Sequence, residues 1–126
     1  MIRRASAILL VALVVTLALS GCNGGSAGTP ASKAFSVEAT EFAFSPNAFT
    51  AKVGDEITFN ITNKGTIEHN FVLFDPSGKE IGRAAIAIGQ STSVKIKPAA
   101  AGEYLIECDI PGHKDAGMTA KLTVSP

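Results

Sequence analysis

Tryptophan is absent from the 126 residues, and cysteine, histidine and methionine occur only twice each. Aromatic residues make up 6% against 46% hydrophobic overall. That balance of small and β-branched apolar side chains fits compact β structure better than a large ligand pocket. No run of lysine or arginine is present, which removes the electrostatic footprint of a nucleic-acid binder. Nor is there an acidic block of the kind that forms a disordered tail. No stretch sustains a 3.6-residue period, so long helices are not expected. A phosphate-cradling glycine loop, a nucleophile elbow and an internal repeat are all missing, and nothing in the chain points to an enzyme.

What is present begins with an export signal. Arg3 and Arg4 precede an apolar run from Ala5 to Leu19, interrupted only by Ser6 and Thr16. About 15 residues are too few for an ordinary spanning helix, which needs roughly 20, and suit a signal peptide. The run ends in Leu19-Ser20-Gly21-Cys22, which resembles a bacterial lipobox. That resemblance implies cleavage after residue 21 and a lipid on Cys22; an uncleaved N-terminal anchor is the alternative. Either way the domain is exported and tethered to a bacterial membrane, facing the periplasm or the exterior. Asn23 is not the Asp of an inner-membrane retention signal, which points to the outer membrane where the host has one. Without Arg3 and Arg4, Lys+Arg falls from 11 to 9 against 11 Asp+Glu, a net charge near −2. Residues 22–33 then form the lipidated cysteine and a flexible linker, because Gly, Ser, Ala, Pro and Thr cannot bury enough surface to order themselves. Its last eleven residues span on the order of 15–20 Å.

From residue 34 to 126 the pattern changes to period two. Phe35, Val37 and Ala39 alternate with polar neighbours, as do Ile57, Phe59 and Ile61. His69–Phe74, Gln90–Lys97, Glu103–Cys108 and Met118–Val124 read as further strands, whereas Ile81–Ile88 is open between loop, short strand and short helix. Seven to eight short strands separated by turns predict one all-β domain, an antiparallel β-sandwich of Greek-key type.

The chemistry is concentrated in Cys108, His113 and Met118, with four residues in each gap, and in His69 upstream. Setting aside Met1 and Cys22, these are all the cysteines, histidines and methionines of the chain. Taken singly, His69 reads as a satisfied core histidine, Cys108 as a small buried hydrophobe, Met118 as core filler and His113 as a solvated loop residue. Taken together, with C-x4-H-x4-M placed between two strands, they read as a metal site. Thiolate, imidazole and thioether suit copper, and two His, one Cys and a weak axial Met form the blue-copper electron-transfer set. A lipidated Cys22 cannot pair with Cys108, which leaves Cys108 a free thiol or a ligand. His69 is expected to reach the site from a neighbouring strand across the sandwich.

Glu68-His69-Asn70-Phe71, Cys108-Asp109-Ile110-Pro111-Gly112-His113 and Ala116-Gly117-Met118 resemble the ligand segments of cupredoxins, the blue-copper family that includes plastocyanin, azurin, auracyanin and rusticyanin. The resemblance covers Phe35 to Val124. It implies one type 1 copper with His69, Cys108 and His113 as equatorial ligands and Met118 as the axial one. It also implies that the Asn70 backbone N–H donates to the Cys108 sulfur and that the Asn70 side chain ties the His69 and Cys108 segments. Where azurin has a glycine whose carbonyl approaches the metal, this chain has Glu68, so a four-ligand site is expected. The family further implies a one-electron carrier, with the exposed edge of His113 as the electron port. Redox proteins, a cytochrome or an oxidase or reductase, would dock there transiently. A copper-delivery protein is the rival reading. Nitrite-reductase chemistry would need a second copper site, for which no histidine remains, and a two-copper centre would need two cysteines in the loop.

Overall fold

The computed structural model describes residues 28–126; the signal peptide, Cys22 and most of the linker lie outside the described residues. Nine strands follow in order: β1 (Ser32–Thr40), β2 (Ala43–Ser45), β3 (Ala48–Lys52), β4 (Glu56–Asn63), β5 (His69–Phe74), β6 (Glu80–Ile86), β7 (Ser91–Ile96), β8 (Gly102–Glu107) and β9 (Thr119–Ser125). Ser32 and Lys33 are thus already strand, two residues before the expected domain start at 34. Ile81–Ile88 resolves largely as β6. No helix among the described residues is long and apolar enough to cross a membrane.

The strands form two sheets, one ordered β2-β1-β4-β7 and the other β3-β9-β8-β5-β6. The all-β sandwich is as expected, with nine strands in place of seven to eight. The sheets are mixed rather than purely antiparallel: β1 pairs parallel to β4, and β3 parallel to β9. The chain leaves the first sheet after β2, adds β3 to the edge of the second, and returns in β4 running the same way as β1. Side-chain alternation records which face is buried and carries no information about strand direction.

Burial follows the pleat. In β4, Ile57, Phe59 and Ile61 are buried while Glu56 and Asn60 face water. Their counterparts on the opposing sheet include Phe49, Phe71, Ile106 and Leu122. Rings knit the layers: Phe59 lies 5.2 Å from both Phe49 and Phe71 and 5.4 Å from Phe35, centroid to centroid. Gly82 of β6 is required by close approach, because a Cβ there would stand 2.7 Å from the Val94 side chain of β7. Buried polar groups are tied down. The Tyr104 hydroxyl donates to the Ala100 carbonyl at 2.9 Å. The Asp55 carboxylate accepts from the Ala31 and Lys52 backbone N–H groups at 3.0 and 2.9 Å, which joins the start of β1 to the β3–β4 turn. These two bonds, with Lys33 nearby, hold its carboxyl below the usual range.

Candidate metal centre

One end of the sandwich collects the ends of three adjacent strands. β8 delivers Cys108 immediately after its last residue, β9 starts just after Met118, and β5 starts with His69. Strand β5 pairs with β8 in the same sheet, Val72 opposite Glu107. His69 therefore comes from the neighbouring strand of one sheet and not from across the sandwich, which corrects the expectation. Asn63 prepares its approach. Its side chain donates to the Ile67 and Ile86 carbonyls at 2.7 and 2.9 Å and accepts from the Gly65 N–H at 2.8 Å, which shapes the β4–β5 connection.

The loop between β8 and β9 is braced by its own backbone. Cys108 N–H donates to the Met118 carbonyl and Met118 N–H to the His113 carbonyl, both at 3.1 Å, while His113 N–H donates to Ile110 at 3.0 Å. The turns need left-handed backbone at Gly112 (φ 86°) and Gly117 (φ 105°), where any other residue would be strained. Three ligand candidates are thus placed by backbone bonds that do not depend on an ion.

Their side chains converge. His69 Nδ1 and Cys108 Sγ each lie 3.3 Å from His113 Nδ1, and one ligand atom from each residue falls within 4.8 Å of the others. One ion with bonds of about 2.0 Å to nitrogen and 2.3 Å to sulfur in a plane would set such atoms roughly 3.5 Å apart. The spacing fits a single metal ion. Met118 is wholly buried beside them. Burial, followed by the charge His113 would carry, lowers the pKa of His69, which keeps its imidazole neutral and able to bind metal. His69 Nε2 meets no polar partner in the described residues, so the ring's link to the site runs through Nδ1. With two imidazoles, a buried free thiol and a thioether, the donor set is that of one type 1 copper.

The surroundings match one expectation and amend another. The Asn70 N–H donates to Cys108 Sγ at 3.3 Å, and its side chain donates to Asp109 Oδ1 at 2.7 Å, joining the two ligand segments. His113, expected to show an exposed edge, is only 8% exposed. Phe42, at the β1–β2 hairpin tip, stands edge-on to it with ring centroids 4.8 Å apart and is itself 39% exposed. The neighbouring Glu41 holds that tip in place by accepting from the backbone N–H groups of Thr66 and Ile67, on the approach to His69. Neither residue stood out in the sequence, where both belong to an ordinary turn region.

A family model described as a cupredoxin-like domain matches residues 9–124. The chain belongs to the cupredoxin-like family. Among curated relatives, this cupredoxin is 31% identical over 97 residues to the copper-resistant cuproprotein CopI of Rubrivivax gelatinosus, covering 64% of this chain and 59% of that one. The cupredoxin thus spans well under two thirds of CopI. It is 32% identical over 130 residues to the chloroplastic plastocyanin of Oryza sativa subsp. indica, covering 96% of this chain and 70% of that protein. Among solved structures, auracyanin A, a "blue" copper protein from Chloroflexus aurantiacus, superposes with a TM-score of 0.65 at 23% identity, over 75% of this chain and 99% of its own. That likeness supports the fold of the cupredoxin; the donor geometry supports the site.

Proposed function

We propose that this cupredoxin holds one copper ion in His69, Cys108, His113 and Met118 and carries single electrons, lipid-anchored through Cys22 to the outer face of a bacterial membrane. The observation that carries the reading is the convergence of three buried donor atoms, one from the start of β5 and two from a loop already braced by backbone hydrogen bonds. Copper, when bound, supplies a one-electron couple. The chain supplies ligands acceptable to both oxidation states and a frame that changes little between them, which keeps reorganisation small. The tether joins β1 at Ser32, and β1 then runs nine residues to the hairpin that carries Phe42. At about 3.3 Å per residue that is about 30 Å, so the metal centre lies near the end of β1 remote from Ser32. The likeness to plastocyanin and to the blue copper auracyanin agrees with electron carriage.

The name of CopI favours a second reading, copper handling or delivery, and the two differ in what happens to the ion. The chain loaded with cupric ion is reduced and reoxidised repeatedly beside a chelator selective for cuprous ion. A carrier recovers its visible absorption with copper retained after each cycle. Stoichiometric loss of copper to the chelator on the first reduction would instead establish delivery.

Electrons are expected to enter and leave through His113 and the ring of Phe42 that covers it. The exposed rim of Pro111, Gly112, Ala116 and Gly117 allows close, dry approach by a redox protein, and a small surface suits short-lived encounters. His113→Gly, supplied with free imidazole to complete the copper site, should keep its colour while electron exchange with a soluble cytochrome slows by roughly one decade or more, within the span of mutant association rates. Stopped-flow mixing measures this, and undiminished exchange would rule out the route.

A further inference from the structure

Outside the ligand set, a row of charged side chains leads from β6 to the metal centre. The Arg83 guanidinium donates to both oxygens of Glu80, at 2.9 and 3.0 Å. It also reaches Asp109 Oδ2 at 2.7 Å. The other oxygen of Asp109 accepts from Asn70 Nδ2 at 2.7 Å, and the Asn70 backbone N–H donates to Cys108 Sγ at 3.3 Å. The row therefore ends on the sulfur. Arg83 is 44% exposed and Asp109 33% exposed at their side chains, and ion pairs so exposed add little to folding stability. The position of the row, one residue from Cys108, gives it a different consequence.

We propose that Arg83 is a positioning residue of the metal centre, which sets the balance between its two oxidation states by holding and neutralising Asp109. Two physical effects follow, and they have the same sign. A free carboxylate beside the site favours the more positive, oxidised ion, and Arg83 offsets that charge. A fixed Asp109 also fixes Asn70, whose N–H draws charge from the sulfur and so favours the reduced ion. The planar fork of arginine is needed, because one group must serve Glu80 and Asp109 together; the point charge of lysine keeps the neutralisation without the bracing. Outer hydrogen bonds of this kind orient ligands and tune the metal.

The inference rests on the copper-carrier reading, and its test separates the two. Midpoint potentials of the copper-loaded chain are measured at low ionic strength, where exposed charges are least screened. Arg83→Gln should lower the potential, by up to the 59 mV that corresponds to a tenfold change in a one-electron equilibrium. Asp109→Asn, which keeps the acceptor for Asn70 but removes the charge, should raise it. In the Asp109→Asn background Arg83→Gln should lower the potential by less, because its charge still acts directly on the site while the carboxylate it braced is gone. Arg83→Lys should fall between wild type and Arg83→Gln. A general loosening of structure would not shift two neighbours in opposite directions. Hydrogen exchange on the metal-free chain gives the second readout: the Asn70 amide should exchange faster in Arg83→Gln, while the Leu122 amide in the core is unchanged. If the wild type forms no coloured copper site, the carrier reading fails and the exchange measurement still decides whether Arg83 holds Asn70. Unchanged potentials, additive effects of the two substitutions, or unaltered Asn70 exchange would overturn the proposal.

Discussion

Cys108→Ser is expected to abolish the intense visible absorption of the copper-loaded chain completely. Cys108 is fully buried, faces His113 Nδ1 at 3.3 Å and accepts the Asn70 N–H at the same distance. A thiolate is a soft ligand that binds copper covalently enough to give blue-copper sites their character. A serine hydroxyl stays protonated near neutral pH, is hard, and sits on a shorter bond to carbon, so it neither reaches the ion equally well nor stabilises its reduced form. Changes to groups merely touching a ligand cost 10- to 100-fold in metal affinity. Loss of the ligand itself should exceed the upper end, weakening copper binding by more than about 100-fold. Cupric titration followed by visible absorption reads both effects. Far-ultraviolet circular dichroism should stay unchanged, because the swap is nearly isosteric and the loop is held by its own backbone bonds. Retained colour in a folded variant would show that the sulfur is not a ligand.

The C-x4-H-x4-M stretch was legible because its residues are local. A strand end, a turn and a strand start lie within eleven residues, and the glycines at 112 and 117 mark the two reversals. The core was legible for a similar reason: Ile57, Phe59 and Ile61 announce their buried face by alternation alone. What the sequence did not disclose depends on which strand lies beside which. Neither the parallel pairing of β1 with β4 nor the arrival of His69 from β5, beside β8, has a local signal, since both follow from the path of the whole chain between sheets. Phe42 reads as another apolar residue near a turn until the hairpin tip is placed over His113. Arg83 lies 26 positions from Asp109, and no short-range pattern links an arginine on β6 to the carboxylate that follows Cys108 after β8. Gly82 obscured β6, because glycine is a poor strand former. The residue is there to admit Val94 from the opposing sheet, a reason visible only once both layers are assembled.

Phe59→Ala should have the largest effect on stability, costing about 3–5 kcal/mol by the usual range for large-to-small core substitutions. Phe59 has no exposed surface and is the junction of the ring cluster, touching Phe35, Phe49 and Phe71, with Phe44 beyond Phe71. Phe49 and Phe71 belong to the opposite sheet, so the lost ring opens a gap between layers that the pleated strands cannot close by a local shift. Small domains have about 5–15 kcal/mol in total, so the metal-free variant should lose a large share of its resistance to urea. Copper should restore part of it, since a ligand bound only by the folded state at 1,000 times its dissociation constant adds about 4 kcal/mol. The restoration should be incomplete, because Phe71 sits on β5 two residues from His69 and loosening beneath it weakens the hold on that imidazole. Ile88→Ala is the control: Ile88 is 58% exposed, and its removal should change stability by no more than about 0.5 kcal/mol. Equilibrium urea unfolding of the metal-free and copper-loaded forms of all three chains supplies the comparison. A cost for Phe59→Ala below about 1 kcal/mol, outside the range for a buried phenylalanine, would mean that the two sheets are not held together through this ring.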